Sequence, residues 1–424
     1  MKKMKRDNSI AWLSWLFLTL NLLSAFLISR IDDFSIYFLI LLIFNIVFGI
    51  AFAKRINKTV ITILRLLVGA LFIYSGFVKG VDPLGTQFRI EDYFYVYGTT
   101  WAIPFALGLS VLLNAFEFSM GALLISKIKA KWVNVLVLLM MVFFTFTTLD
   151  DALYNRVPDC GCFGDALIIT NWQTFYKNLV IDAIVIMLFI RRADIKLKWP
   201  YQVQFATVLM VVFGFIGFEY YNIQNLPIID FRPWKVGNRL LPEHPKPVKF
   251  YLTYENTKTG EKKEFLSTDL PWQDSTFKAD WRWLSSREDD PNKDENRLFP
   301  MVDEEGNDWS NDLMQNKEGL LIVSIYDVKK LTKDDSEKLN HLFAQAQKEN
   351  IEIILLNSNS SEVYIKYKKE LLLPEMEMYS SDDTALKAAV RSNPGLIIVK
   401  NAKVLAKYHI NNFPDIEEIK NLLK

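Results

Sequence analysis

The residues best suited to chemistry are Cys160 and Cys162, the only two cysteines among the 424 residues. One residue, Gly161, separates them, so a disulfide between them would close a small and strained ring. Strained disulfides are the ones that exchange readily with other thiols. Gly161 and Gly164 lack the side chains that would resist a tight bend. The spacing therefore predicts a loop that keeps two sulfur atoms close together.

Three kinds of chemistry fit this pair of cysteines. They are thiol–disulfide exchange with a partner protein, a structural disulfide or two reduced thiols without a role, and a metal site. The neighbouring Asp159 and Asp165 oppose thiolate formation unless a cation compensates for them. The metal site is the weakest choice, because the nearest histidine is His244 and two thiols with carboxylates make a poor zinc set. We predict no metal, and exchange and a structural role both stay open.

Apolar segments must position this loop. A bilayer core of about 30 Å needs about 20 apolar residues per helix. Seven segments before residue 222 have this character, namely Ile10–Ser29, Phe34–Ala53, Val60–Lys79, Trp101–Ser126, Trp132–Leu149, Trp172–Ile190 and Tyr201–Tyr221. The first resembles a signal peptide but lacks a small-residue cleavage site, so we interpret it as a span. The sequence predicts a polytopic α-helical membrane protein with a soluble C-terminal part.

Basic residues predict the orientation of the spans. The N-terminal segment and the connections after the second, fourth and sixth segments together contain fourteen Lys and Arg residues. The connections on the other side of the membrane, with the span ends beside them, contain four. Such residues collect on the cytoplasmic side. We therefore predict a cytoplasmic N-terminus, with the cysteine loop and all residues after Tyr221 on the outer side of the membrane. Thiols on that side are oxidised.

Ionisable residues inside the spans are candidates for function. They are Arg65, Lys79, Glu117 and Asp182. At 1.5 Å per residue, Arg65 lies about 8 Å and Glu117 about 13 Å from the cytoplasmic ends of their spans, so these two are predicted to pair. Helix packing and a role linked to protons or to a quinone both remain open. The three histidines all follow the last span, which leaves no pair of membrane histidines to bind a haem within this chain.

Five short motifs occupy the four spans from Val60 to Ile190. They are Arg65-Leu-Leu-Val-Gly69, the segment from Leu71 through Gly76 to Lys79, Asp82-Pro83-Leu-Gly85, Glu117 with Gly121, and Cys160-Gly-Cys162-Phe-Gly164. This set resembles the DoxX-like membrane proteins, and the last three motifs are similar to their MauE branch. The resemblance implies a four-helix membrane bundle that is linked to the maturation of disulfide-containing periplasmic proteins. The whole arrangement resembles Bacteroidetes-type DoxX proteins with a periplasmic C-terminal domain. This resemblance implies a multi-pass protein of the bacterial inner membrane whose cysteine loop and C-terminal part lie in the periplasm.

The hydrophilic half changes character near residue 315. Before it, Lys249–Tyr254 and Glu261–Phe265 alternate like short strands in a segment of otherwise poor periodicity. After it, strands are predicted at Leu320–Tyr326, Ile351–Leu356, Pro394–Val399 and Val404–His409, and helices at Lys333–Lys348, Glu362–Leu372, Asp383–Val390 and Asp415–Leu423. Alternating strands and helices that end in a strand pair and a helix predict a thioredoxin-like domain.

Two positions bear on the activity of this domain. Pro394 follows Asn393 where thioredoxins carry a cis-proline that faces their active site. The Cys-x-x-Cys pair of thioredoxins should follow the first strand, but this sequence has Tyr326-Asp-Val-Lys-Lys330 there. Without thiols the domain cannot exchange disulfides. We expect it to bind envelope proteins instead.

The predicted domains are a transmembrane hairpin over residues 1–58, the DoxX/MauE-like bundle over 59–192, a seventh transmembrane helix over 193–221, a periplasmic adaptor over 222–315 and the thioredoxin-like domain over 316–424. The balance of 49 Lys and Arg against 48 Asp and Glu excludes a basic nucleic-acid footprint.

The first functional hypothesis is disulfide exchange through Cys160 and Cys162, supported by a quinone or a second protein. The alternative is a non-enzymatic membrane-anchored adaptor for envelope proteins. Solute transport would depend on the intramembrane charges alone.

Overall fold

The computed structural model describes residues 2–158, 161–195, 197–244, 246–269, 275–289, 291–292 and 297–424. Asp159 and Cys160 of the predicted redox loop lie outside the described residues. The chain forms two compact units, residues 1–231 and residues 232–424.

The first unit is helical. Its helices are α1 (Lys2–Ile28), α2 (Ile36–Phe52), α3 (Lys58–Val81), α4 (Pro83–Val96), α5 (Ala106–Ser126), α6 (Ala130–Tyr154), α7 (Asn171–Ile190) and α8 (Tyr201–Gln224), with short 3-10 turns at Ala53–Arg55, Thr100–Phe105 and Gly164–Ala166. Within the described ranges, six helices are long and apolar enough to cross a membrane, namely α2, α3, α5, α6, α7 and α8. They confirm six of the predicted spans. The apolar part of α1, Trp12–Ile28, is shorter, so the first span stays a prediction.

Helices α3 and α5 approach each other closely through glycines. A Cβ atom added to Gly76 would lie 2.6 Å from the backbone nitrogen of Phe118, and one added to Gly121 would lie 2.6 Å from the carbonyl oxygen of Gly69. Real Cβ atoms do not come so close to a neighbouring backbone, so only glycine permits this contact. Gly69 and Gly76 are seven residues apart on α3 and so share one face of this helix, and the contact sets the register of the two helices.

Helix α7 lies in the interior of the first unit, although Lys177 and Asp182 made it the least apolar predicted span. The carboxyl group of Asp182 has a hydrogen-bond partner. Thr145 of α6 donates a hydrogen bond to Asp182 Oδ2 at 2.7 Å. At the start of the helix, Thr170 and Gln173 form a reciprocal capping box. Neighbouring polar groups therefore compensate for the charge inside this span.

Helix α4 was not predicted, because the segment between Lys79 and Trp101 was interpreted as a connection. Its start follows local rules. The carboxylate of Asp82 accepts a hydrogen bond from the backbone N–H of Gly85 at 3.1 Å, and Pro83 occupies the first helical position, where no N–H is needed. The Asp-Pro signal was visible in the sequence, and α4 is too short to be a span.

The second unit begins with a three-stranded antiparallel sheet in the order β2-β1-β3. Its strands are β1 (Lys249–Asn256), β2 (Lys262–Leu266) and β3 (Trp281–Asp289), and α9 (Ser275–Asp280) precedes β3. The rings of Tyr254, Phe265, Phe277 and Trp281 pack together, and the centroids of Phe277 and Trp281 are 5.4 Å apart. The two strands expected in this region are confirmed, whereas β3 was missed.

A five-stranded sheet follows, in the order β6-β5-β4-β7-β8. The elements are α10 (Ser310–Met314), β4 (Leu320–Ile325), α11 (Lys333–Lys348), β5 (Glu352–Asn357), α12 (Ser361–Leu371), β6 (Glu377–Ser380), α13 (Asp383–Ala389), β7 (Gly395–Lys400), β8 (Lys403–His409) and α14 (Ile416–Leu423). Strands β4, β5 and β6 are parallel, whereas β7 is antiparallel to β4 and β8 is antiparallel to β7. The strands and helices predicted here are found. Strand β6, only four residues long, was missed, and the thioredoxin-like assignment stays a prediction.

The segment before β7 contacts the loop that follows β4. The Asn393–Pro394 peptide bond is cis. The side-chain oxygen of Asn393 accepts hydrogen bonds from the backbone N–H groups of Tyr326 and Asp327, at 2.9 and 3.1 Å, and its amide donates to the Asp327 carbonyl at 2.7 Å. Asn393 therefore fixes the loop that follows β4.

Candidate functional site

The described part of the cysteine loop, residues 161–165, packs on helix α3. The hydroxyl group of Ser75 donates a hydrogen bond to the carbonyl oxygen of Cys162. The ring centroid of Phe163, which is buried, lies 5.9 Å from that of Tyr74. A hydrogen bond from a serine side chain to the loop backbone and a buried ring thus attach residues 161–165 to α3.

Two cationic side chains flank this loop. The Nζ atom of Lys177, on α7, lies 4.7 Å from the centre of the Phe163 ring, a cation–π contact. The side chain of Arg89, on α4, lies against Gly161, whose φ is +63°, and a Cβ atom there would be 3.2 Å from Arg89 Cγ. A guanidinium group at this place is a cation of the kind that an acidic cysteine loop needs for thiolate formation.

The loop and the start of α4 enclose a small cavity of about 20 Å³. Its walls are formed by Val78, Asp82, Gly85, Thr86, Arg89, Gly161, Gly164 and Asp165. A space of this size can accept about one water molecule. The structural residues predicted from the motifs are brought together here, because Asp82 and Gly85 lie on one wall and Gly161 and Gly164 on another. Pro83 lies beside them, and its carbonyl oxygen accepts a hydrogen bond from Ser110 at 2.7 Å.

Lys79, the residue after the cavity-lining Val78 on α3, forms a buried ion pair with Glu117 of α5, with side chains 7% and 4% exposed. The predicted pairing of Glu117 with Arg65 is wrong. Matched depth does not specify the register of two helices, and the glycine contacts between α3 and α5 place Lys79 opposite Glu117. In the structure, the Arg65 guanidinium donates hydrogen bonds to the carbonyl oxygens of Leu124 and Ile125. These carbonyls lie in the last turn of α5, where the Leu124 oxygen also accepts a hydrogen bond from the backbone N–H of the capping residue Lys127 at 3.4 Å, and Arg65 supplies further donors.

The ion pair belongs to a larger buried polar group that includes Asn114 and Glu219. The Asn114 amide donates to the Lys79 carbonyl oxygen at 3.3 Å. Glu219, on α8, is fully buried beside Asn114. Among the described residues, neither carboxyl oxygen of Glu219 nor the side-chain oxygen of Asn114 has a hydrogen-bond partner of good geometry.

Glu219 was missed in the sequence, although a glutamate within an apolar span was a visible signal. Helix α8 packs on α3 and α5 through few residues. The ring of Phe215 stacks on that of Phe118 at 4.1 Å between centroids, and Asn222 donates to the carbonyl oxygen of Gly80 at 3.3 Å. Buried residues of α8 thus lie at the level of the ion pair.

Helix α4 is attached to the end of α6 by tyrosines. Tyr93 donates a hydrogen bond to Asp151 at 2.5 Å, and Tyr97 donates to Asp150 at 2.7 Å. Burial and the hydrogen bond to Asp150 raise the pKa of Tyr97 to about 12, so its hydroxyl group remains a donor at neutral pH. These contacts keep α4, and with it Arg89, beside the cysteine loop.

These features define a multi-pass membrane protein in which residues 161–165 pack on α3, the helix that also carries Lys79 of the buried ion pair. Residues 57–191, which cover α3 to α7, match the family model described as methylamine utilisation protein MauE. This match confirms the resemblance recognised in the sequence, and it includes the Asp82 turn, the Lys79–Glu117 pair and the cysteine loop. Comparisons with curated proteins and with solved structures found no match. In the described part of the chain, no group of three His, Cys, Asp or Glu residues could bind a metal ion.

Proposed function

We propose that the protein assists thiol–disulfide exchange during the maturation of proteins on the periplasmic side of the bacterial inner membrane. The observation that carries this proposal is the attachment of the Cys162 loop to α3 through Ser75, with Arg89 packed against Gly161. A cysteine loop attached beside a guanidinium group suits exchange better than a free loop does. The MauE match over the bundle supports the same direction.

In the proposed reaction, a thiolate of a reduced partner protein attacks one sulfur of the Cys160–Cys162 disulfide. A mixed disulfide forms and the other cysteine leaves as a thiolate. The second thiol of the partner then displaces the loop cysteine, so the partner loses two electrons and the loop gains them. Reoxidation of the loop requires a quinone in the membrane or a second disulfide protein.

The proposed topology places the second unit on the same side as the loop. Its support is the excess of Lys and Arg in the connections on the opposite side. Within the second unit, the sheet order and the cis Asn393–Pro394 bond beside Tyr326 and Asp327 support a thioredoxin-like domain. Since residues 326–330 contain no cysteine, the proposed task of this domain is to bind protein partners.

Thiol trapping tests the exchange. Cys160→Ala and Cys162→Ala variants each retain one cysteine, and at least one of them should accumulate a mixed disulfide with a periplasmic protein, which the double variant cannot form. A redox titration of the wild-type protein should give a potential above about −300 mV, the upper limit of structural bridges. Absence of any mixed disulfide, together with a potential below about −300 mV, would reject the exchange.

Reporter fusions test the proposed topology. A reporter fused at Arg192 should lie in the cytoplasm, and one fused at Gly237 should lie in the periplasm.

The alternative is a membrane-anchored adaptor in which the cysteine pair is structural. The observation that favours it is the thiol-free loop after β4, which Asn393 stabilises without any cysteine among residues 326–330. In that case loss of either cysteine should lower the stability of the bundle without changing the redox state of any partner.

A further inference from the structure

A groove of about 420 Å³ lies along the outer edge of the five-stranded sheet, beside β6. It is formed by α12, by β6 with the two residues before it, and by the turn at residues 303–305. The lining residues that matter here are Asp303, Glu304, Glu305, Lys368, Glu375 and Glu377. The groove lies wholly within the second unit and takes no part in the proposed disulfide exchange.

The groove is strongly acidic. Five carboxylate side chains line it, against the single amine of Lys368, which is paired with Glu375. Hydrogen bonds from Trp309 and Asn307 lower the pKa of Asp303 to about 2, so this carboxylate is ionised at neutral pH. The result is a surface that attracts cationic groups.

The floor of the groove is apolar and adaptable. Met376 and Met378 are half-buried, and Ile365 on α12 is 49% exposed. Methionine side chains adjust to different apolar partners. The groove therefore combines acidic walls with a floor that can accept apolar side chains.

One edge of β6 is open in the middle of the groove. Ser380 exchanges two backbone hydrogen bonds with Val302, at 2.9 and 2.7 Å, on the side away from β5. Backbone groups alternate in direction along a strand, so Met378 directs its N–H and C=O groups to the same side. Of the strands that the structure describes, none pairs with Met378 there. An extended chain could pair with β6 at this position.

We propose that this groove binds an extended, basic segment of a partner protein, which adds to the sheet at Met378. Its backbone continues the hydrogen bonding of β6, its Lys or Arg side chains meet the carboxylates, and the alternate side chains rest on the methionines. Main-chain pairing supplies affinity and the alternating side chains supply specificity in such complexes.

The test uses the full-length chain in detergent and fluorescence anisotropy of a labelled decapeptide of alternating Lys and Val. A decapeptide of alternating Glu and Val is the control probe. The first probe should bind and the second should not. The Glu304→Lys/Glu305→Lys variant should weaken binding by about tenfold or more, since both side chains are exposed and line the groove.

The matched control variant is Glu362→Lys, an exposed change on α12 outside the groove, which should leave the affinity nearly unchanged. A third probe carries N-methyl groups on alternate amides and should bind less tightly, because it cannot pair with a strand edge. Absence of binding, equal losses in both charge variants, or equal affinity of the N-methylated probe would each overturn the proposal. Circular dichroism of each variant verifies that it is folded.

Discussion

Removing the charge of Glu117 while Lys79 remains should lower the free energy of unfolding of the bundle by about 3–5 kcal/mol. The reason is the depth of the pair, whose side chains are 7% and 4% exposed. In a Glu117→Gln variant the Lys79 ammonium stays buried without a counter-charge. The ring of Phe144, 5.8 Å from Lys79 Nζ, offers a cation–π contact worth about 0.5–2 kcal/mol, which does not compensate for the loss.

A double-mutant cycle isolates the pair. Lys79→Met alone and Glu117→Met alone should each also cost about 3–5 kcal/mol, whereas the Lys79→Met/Glu117→Met variant should be close to wild type or more stable, because no charge is left buried. The coupling energy should therefore exceed about 3 kcal/mol. The measurement is a denaturant titration of the purified protein in detergent micelles, followed by helical circular dichroism.

Arg65 provides the matched control for this cycle. It contacts the carbonyl oxygen of Leu124, which lies seven residues, or about 10 Å of helix rise, from Glu117 on α5. Arg65→Leu should destabilise the end of α5, but its effect should add to that of Glu117→Gln within about 0.5 kcal/mol. Strong coupling of Glu117 with Arg65, together with additivity of Glu117 and Lys79, would refute the register derived from the glycine contacts.

Two further predictions concern packing and pH. Gly121→Ala should lower the free energy of unfolding by about 1–3 kcal/mol, because the added Cβ atom would lie 2.6 Å from the Gly69 carbonyl oxygen. The control is Gly108→Ala on the same helix, whose Cβ atom would meet no atom within 4 Å and which should be neutral or stabilising. Equal melting temperatures of the two variants in detergent would contradict this prediction. The pKa of Asp303 is lowered to about 2 from an ordinary value of about 3.9, so its contribution to stability is present above about pH 4 and is lost as the pH falls through 2. We therefore expect the denaturant midpoint of the second unit to fall more steeply between pH 5 and 2 in wild type than in the Asp303→Asn variant. The midpoint is measured by tryptophan fluorescence. Parallel curves for the two proteins would reject the contribution of ionised Asp303 to stability.

Local patterns determined much of the architecture. The six confirmed spans follow from apolar segments long enough for a bilayer core, because length and composition are properties of one segment. The glycine face of α3 follows from helical spacing, and the alternation of strands and helices after residue 316 follows from hydrophobic periodicity. In the same way the capping signal of Asp82 and Pro83 was local, although α4 itself was not predicted.

The partners of the candidate residues were decided by tertiary structure. Glu117 pairs with Lys79 rather than with Arg65 because backbone contacts at Gly76 and Gly121 set the register between α3 and α5, and depth along one helix carries no such information. Ser75 and Arg89 reach the cysteine loop from positions more than 70 residues away along the chain.

The acidic groove also depends on the tertiary structure. Its edge strand β6 has four residues, too few for a periodic signal, and its carboxylates come from two segments about 70 residues apart. Periodicity within a segment reports which face is buried. Packing between segments decides what that face meets, because it depends on register and rotation that only the assembled core determines.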